Sequence, residues 1–185
     1  MATSSPFIKA TKLSPKGVSE AVVLNKNFFV ASTNILTAEE TMTRNDCVVR
    51  AIMVAKGTTY KEALTIAREV VRWSPKNGAR MSPIMKGLPT IGGKLVVSRY
   101  TEGTLKAWGF QYPEDVDFPT YNPSYKSKKV SYTLKSFIES HPTGTYTIGV
   151  KGHMVALKDG VLYANPNEWH EGLYREVWVA YEFEN

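Results

Sequence analysis

Apolar residues fall into two periods along this chain. From residue 48, Val48, Val49, Ala51, Ile52 and Ala55 recur at helical spacing until Gly57 stops the run. The spacing predicts a helix that opens at Cys47, with Asn45 and Asp46 as N-cap residues. Thr59 followed three residues later by Glu62 is a capping box, and it opens a second helix from Tyr60 to about Trp73. Its buried stripe is expected at Ala63, Ile66, Ala67, Val70 and Val71. Ser82 before Pro83 reads as an N-cap followed by proline at the first helical position, giving a short helix to about Lys86. Thr133 can cap a further helix through Ser140 that buries Leu134, Phe137 and Ile138.

In the last third the period becomes two. Residues 146–150 alternate, Met154 to Leu157 follow Gly152 and His153, and Asp159-Gly160 is a strong hairpin signal before Val161 to Tyr163. Glu176 to Phe183 closes the chain as a strand, with Val177, Val179, Tyr181 and Phe183 expected on one face. Leu95 to Tyr100 reads as another strand. Helices first and an antiparallel sheet afterwards make the expected class α+β.

Upstream of Cys47 the pattern weakens. Residues 1–20 are rich in Ser, Thr and Lys and read as an arm. Ala21 to Leu24 and Phe28 to Val30 flank a polar Asn25-Lys26-Asn27 and suggest a hairpin, and Thr37 to Glu40 can form one helical turn. The organisation expected is an extension over 1–40 and one α+β domain over 41–185. Residues 109–131 hold Pro113, Pro119 and Pro123 and read as a long surface loop.

Composition narrows the function classes. The chain has 185 residues, 43% apolar and 22% charged, ordinary values for a globular domain with a real core. One cysteine excludes an intramolecular disulfide framework, and one Cys with three His makes a zinc site improbable. No cofactor fingerprint is present: there is no G-x-x-x-x-G-K-S/T loop, no H-E-x-x-H pair and no dinucleotide motif. No apolar run reaches membrane-spanning length, and the first residues lack a signal-peptide apolar core. The net charge of +6 permits nucleic-acid contact, but the basic residues are scattered, with Lys126, Lys128 and Lys129 the densest group.

Candidate chemistry centres on Cys47. A thiol in the first turn of a helix faces unpaired N–H groups and the positive end of the helix dipole, both of which favour the nucleophilic thiolate. Against that stands the common role of a lone cysteine as a small buried hydrophobe. Thiol hydrolysis also needs an imidazole and a group to orient it. His141 precedes Pro142 and reads as a turn or helix C-cap residue, while His170 lies in a polar stretch. His153 stands at the mouth of a strand and is the candidate base. The hairpin then supplies the orienting amide. With a three-residue turn His153 falls opposite Asn165; with a two-residue turn it faces Pro166, flanked diagonally by Asn165 or Asn167. Asn165 is the first choice and Asn167 the second. For an oxyanion, the backbone N–H of Cys47 is one donor, and Asn45, Thr41 or Thr43 supplies the other.

The order Cys47, His153, Asn165 resembles that of papain-like peptidases. Arg44 to Ala51 (R-N-D-C-V-V-R-A) together with Gly152 to Tyr163 (G-H-M-V-A-L-K-D-G-V-L-Y) resembles a family of small papain-like proteins from bacteriophages and bacteria. Those pair an N-D-C-x-x-R-A helix with a G-H-x-x-A-x-x-D-G-x-x-Y-D hairpin, preceded by a turn like His141 to Tyr146. The likeness spans about residues 43–169. It implies a papain-like fold and a Cys47, His153, Asn165 triad but no substrate; the function expected of such a triad is a cysteine hydrolase acting on a peptide or isopeptide bond, with transglutaminase or deamidase chemistry open to the same three groups. From the composition and the absent motifs, no cofactor and no metal are expected. The likeness also implies a phage-encoded protein of the bacterial host cytoplasm or the virion, and the partner expected is a protein or peptide substrate. A non-catalytic alternative on the same fold is a virion component, or a protein that binds a host partner or nucleic acid. Where the family shows Asp after the hairpin Tyr, this chain has Ala164.

Overall fold

The computed structural model describes residues 22–25, 28–32, 45–116, 118, 132–164 and 172–184. In chain order the elements are β1 (Val22–Asn25), β2 (Phe28–Ser32), α1 (Cys47–Lys56), α2 (Tyr60–Val70), α3 (Met81–Gly87), β3 (Gly93–Ser98), α4 (Glu102–Ala107), α5 (Leu134–Ser140), β4 (Thr145–Val150), β5 (His153–Lys158), β6 (Val161–Ala164) and β7 (Val177–Phe183). One sheet runs through the fold in the order β1-β2-β6-β5-β4-β7-β3. Five strands from β6 to β3 pair antiparallel. The β1–β2 hairpin expected from the polar break at 25–27 extends this sheet, and β2 lies parallel to β6. The class is α+β, with the hairpin of the N-terminal extension built into the same sheet.

From β6 to β3 the sheet is covered on both faces. On one, Met154, Ala156, Val179, Tyr181 and Phe183 pack against Val48, Val49, Ile52 of α1, Ala63 and Ala67 of α2, and Ile84 and Met85 of α3. On the other, Ile148, Val155, Leu157, Leu162 and Ala180 pack against Leu134, Phe137 and Ile138 of α5. The strands β5 and β7 are therefore apolar on both faces, as a sheet with helices on each side requires, whereas β4 turns Tyr146 and Ile148 to the α5 side and the small residues Thr145, Thr147 and Gly149 to the α1 side.

α1 begins and ends where its sequence directs. Gly57 takes the left-handed conformation at φ 60°, and the N–H of Thr58 returns to the Met53 carbonyl. Its N-terminus differs from expectation. Asp46 occupies the cap position, but its side chain makes no capping hydrogen bond. The carboxylate is drawn instead to Arg50 and Tyr60, charge-assisted partners stronger than a lone backbone N–H. The uncapped start costs about 1 kcal/mol. Val48, Val49 and Ile52, each no more than 1% exposed, contribute about 2 kcal/mol apiece by burial, so packing decides the helix.

α2 carries the full capping box of Thr59 and Glu62, but ends at Val70 rather than near Trp73. Arg72 turns left-handed at φ 53°, and the Trp73 N–H goes back to the Ala67 carbonyl. Ile66 and Val70 of the expected stripe are only half-buried; Tyr60 takes a buried place instead. α3 is capped at Arg80, so Pro83 is the third helical residue rather than the first. Proline is harmless there, because an N–H in the first turn has no intrahelical partner. α4 was not visible as a period. Its signal is local, the Thr101 side chain accepting from the Thr104 N–H. In β7 the expected face is interrupted: Val177 joins the α5 side while Val179, Tyr181 and Phe183 face α1. A bulge opposite Gly149 and Val150 inserts Trp178 and flips the parity.

Candidate active site

Cys47 is the first residue of α1 and is half-buried at the edge of the core that α1 forms with the sheet. Burial pushes its thiol above the ordinary range. The backbone amides of Met154 and Val48 pull it down, the Asp46 carboxylate pushes it up, and the cysteine's own amide pulls it down. The helix-start donors expected to favour thiolate are thus present, together with an amide from β5. Desolvation outweighs them.

The amide from Met154 matters because Met154 follows His153, the first residue of β5. α1 packs along β5, so the start of α1 lies beside the strand residue that follows His153. Along β5, Met154 and Ala156 face α1 and Val155 and Leu157 face α5. His153 shares the parity of Val155 and Leu157, so an imidazole that reaches the thiol must turn around the strand end, where Gly152 holds φ 73°.

The hairpin has the two-residue turn. Lys158 pairs with Val161 and Ala156 with Tyr163, with Asp159 and Gly160 left-handed at φ 48° and 77°. This is the second of the two registers expected; Pro166, which that expectation set opposite His153, lies outside the described residues. Asn165 and Asn167 lie outside the described residues, as do Thr41, Thr43, His170 and the Lys126–Lys129 group. His141 is the C-cap of α5, stacked on Phe137 at 4.0 Å with Nδ1 2.9 Å from the Phe137 carbonyl oxygen. That role is structural.

The two residues before Cys47 are anchored from α2 and the turn after it. Asn45 is left-handed at φ 59°, a conformation in which asparagine is among the better-tolerated residues. The Trp73 indole N–H donates to its carbonyl at 2.7 Å, and the Asn45 amide donates to the Pro75 and Lys76 carbonyls at 3.3 and 3.4 Å. Its side chain thus serves the 75–76 turn. Asp46 is 9% exposed and accepts at Oδ2 from Arg50 Nε at 2.9 Å and from the Tyr60 hydroxyl at 3.0 Å. Sequence reasoning missed both anchors. Tyr60 opens a helix and Trp73 follows one, and neither position signals a contact with residues 28 or 14 positions earlier.

Comparison with protein-family models, with curated proteins and with solved structures finds no match to the chain. The site therefore rests on its own geometry. Among the described residues no group of three or more His, Cys, Asp or Glu is placed to hold a metal ion. No described helix is long and apolar enough to cross a membrane.

Trp73→Phe keeps an aromatic side chain but removes both the N–H donor to Asn45 and the second ring of a buried indole. It is expected to cost at least about 1 kcal/mol in urea denaturation, the net worth of the hydrogen bond, with the lost ring volume adding to it. Unchanged stability would mean that neither the donor nor the second ring contributes to holding the turn.

Proposed function

We propose that this chain is a papain-like cysteine hydrolase acting on a peptide or isopeptide bond. Cys47 is the nucleophile, His153 the base and then the acid, and Asn165 the orienting residue. The observation that carries this reading is the approach of the Met154 amide to the Cys47 thiol, which brings the start of α1 beside the strand that opens with His153. The amides of Cys47 and Val48 add donors on which a developing oxyanion can settle. The reading places the protein in a bacterial host cytoplasm or a virion, with a protein or peptide as substrate. Transglutaminase and deamidase chemistry use the same groups.

A second reading is a papain-like fold that has no catalysis and serves as a virion component, or as a binder of a host partner or nucleic acid. Two observations favour it: burial disfavours the Cys47 thiolate, and the Asn45 amide is engaged by the 75–76 carbonyls.

The pH dependence of Cys47 alkylation by iodoacetamide separates the two. For the hydrolase, an imidazolium at His153 offsets burial. The apparent pKa then lies below the ordinary ~8.5 and rises in His153→Ala. A wild-type profile at or above ~8.5 that ignores His153→Ala would discard the hydrolase and leave the binding protein.

A further inference from the structure

The turn anchored to Asn45 belongs to a basic stretch. Arg68, Arg72, Lys76 and Arg80 are all exposed, and Glu69 is the single acid between residues 68 and 80. Elsewhere several described cations are already neutralised: Arg50 by Asp46, Lys94 by Asp115, Arg99 by Glu176, Lys106 by Glu102 and Lys135 by Glu139. Among the described residues, none of the four in this stretch has a carboxylate within ion-pair distance. Arg68 instead lies over the Trp73 ring at 5.8 Å. The stretch is held against the cysteine turn, since the Asn45 amide bonds the Pro75 and Lys76 carbonyls and a Cβ on Gly78 would lie 3.4 Å from Asn45 Cβ. A short bridge between Ser74 and Gly78 closes the loop that presents Lys76.

We propose that residues 68–80 form the docking surface for an acidic polypeptide, whose Asp- or Glu-rich segment is presented beside Cys47. As a statement about substrate, this rests on Cys47 being the reacting group. Four exposed cations without an ion-pair partner among the described residues, in one stretch tied to the turn before Cys47, attract and orient an anionic chain. Peptide rather than nucleic acid is favoured because the aromatic residue of the stretch, Trp73, is 4% exposed and offers no face on which a base can stack.

The test uses the full chain and a fluorescein-labelled oligoglutamate carrying a benzophenone at one end. Oligoglutamine and an oligothymidylate of equal charge serve as comparators. Binding is read by anisotropy and the contact by photo-crosslinking and mass spectrometry. The oligoglutamate is expected to bind and oligoglutamine not to. Raising salt to about 0.15 M weakens the complex, and Arg72→Gln/Lys76→Gln/Arg80→Gln weakens it about 10-fold while Lys135→Gln leaves it unchanged. Crosslinks are expected within residues 45–48 or 72–80. Absence of binding, equal binding in the triple variant, crosslinks confined to other segments, or equal or tighter binding of the oligothymidylate would each overturn the proposal. Since neither readout uses thiol reactivity, failure of the docking surface and failure of the hydrolase are scored separately. A high thiol pKa with the crosslink intact removes the hydrolase and keeps the surface.

Discussion

Asp46→Ala is expected to destabilise the protein by about 3 kcal/mol, the range for removing one partner of a largely buried charge pair. The Asp46 carboxylate is the shared acceptor of the Arg50 guanidinium and the Tyr60 hydroxyl, with side-chain exposures of 11% for Asp46 and 17% for Arg50. Truncation leaves both donors facing a gap between α1 and α2, which costs more than the pair contributes while intact. At this chain length the loss corresponds to a melting temperature lower by about 6–12 °C. Asp46→Asn keeps the volume and one acceptor oxygen, so its cost is smaller. It also tests the electrostatics of the site. Asp46 disfavours the Cys47 thiolate, so removing its charge moves the alkylation profile of Cys47 to lower pH. A loss under about 1 kcal/mol in Asp46→Ala would show that the pair is solvated in solution. An unmoved alkylation profile in Asp46→Asn would show that Arg50 already cancels the carboxylate at the thiol.

Phe137→Ala is expected to cost about 4 kcal/mol, at the level of large-to-small changes in a rigid core. Phe137 is fully buried, stacks on His141 and meets Tyr132 and Tyr146 edge-on at 5.7 and 5.4 Å. α5 supplies the helical side of this core, and little else is placed to collapse into the space. The variant also separates the two faces of the sheet. Cys47 and its anchors lie on the α1 face, so below the lowered melting point its alkylation profile is expected to match wild type. A cost under about 1.5 kcal/mol would mean that the surroundings relax into the cavity. A shifted Cys47 profile would mean that the faces are coupled through β5.

The legible parts of the fold were those in which a local rule and packing agree. The Thr59–Glu62 box, the Gly57 stop, the Thr133 cap and the Asp159-Gly160 turn each specify their own backbone with neighbours a few residues away. The parts misread are those in which a distant partner outbids the local one. Asp46 gives up its cap for Arg50 and Tyr60, α2 stops early where Arg72 turns left-handed and Trp73 reaches Asn45, and Val177 changes face at a bulge set by its pairing with β4. For the site, the sequence marked Cys47 and His153 and narrowed the hairpin to two registers. Between a helix-start thiolate and a buried thiol it left the choice open, and the packing of α1 on β5 brings enough desolvation to outweigh the helix-start donors.

By itself, then, the sequence determined the α+β class, the helix that begins at Cys47, the strand that begins at His153 and the turn that joins β5 to β6. These follow from periodicity, caps and left-handed turn residues, which act within a few positions of the chain. Only the tertiary structure decided that a hairpin from residues 22–32 enters the sheet beside β6, that the Met154 amide meets the Cys47 thiol, and that the basic stretch 68–80 is tied to Asn45. Each of these joins residues far apart in sequence, and the free energy that selects them comes from burial and from hydrogen bonds whose partners exist only once the chain has folded.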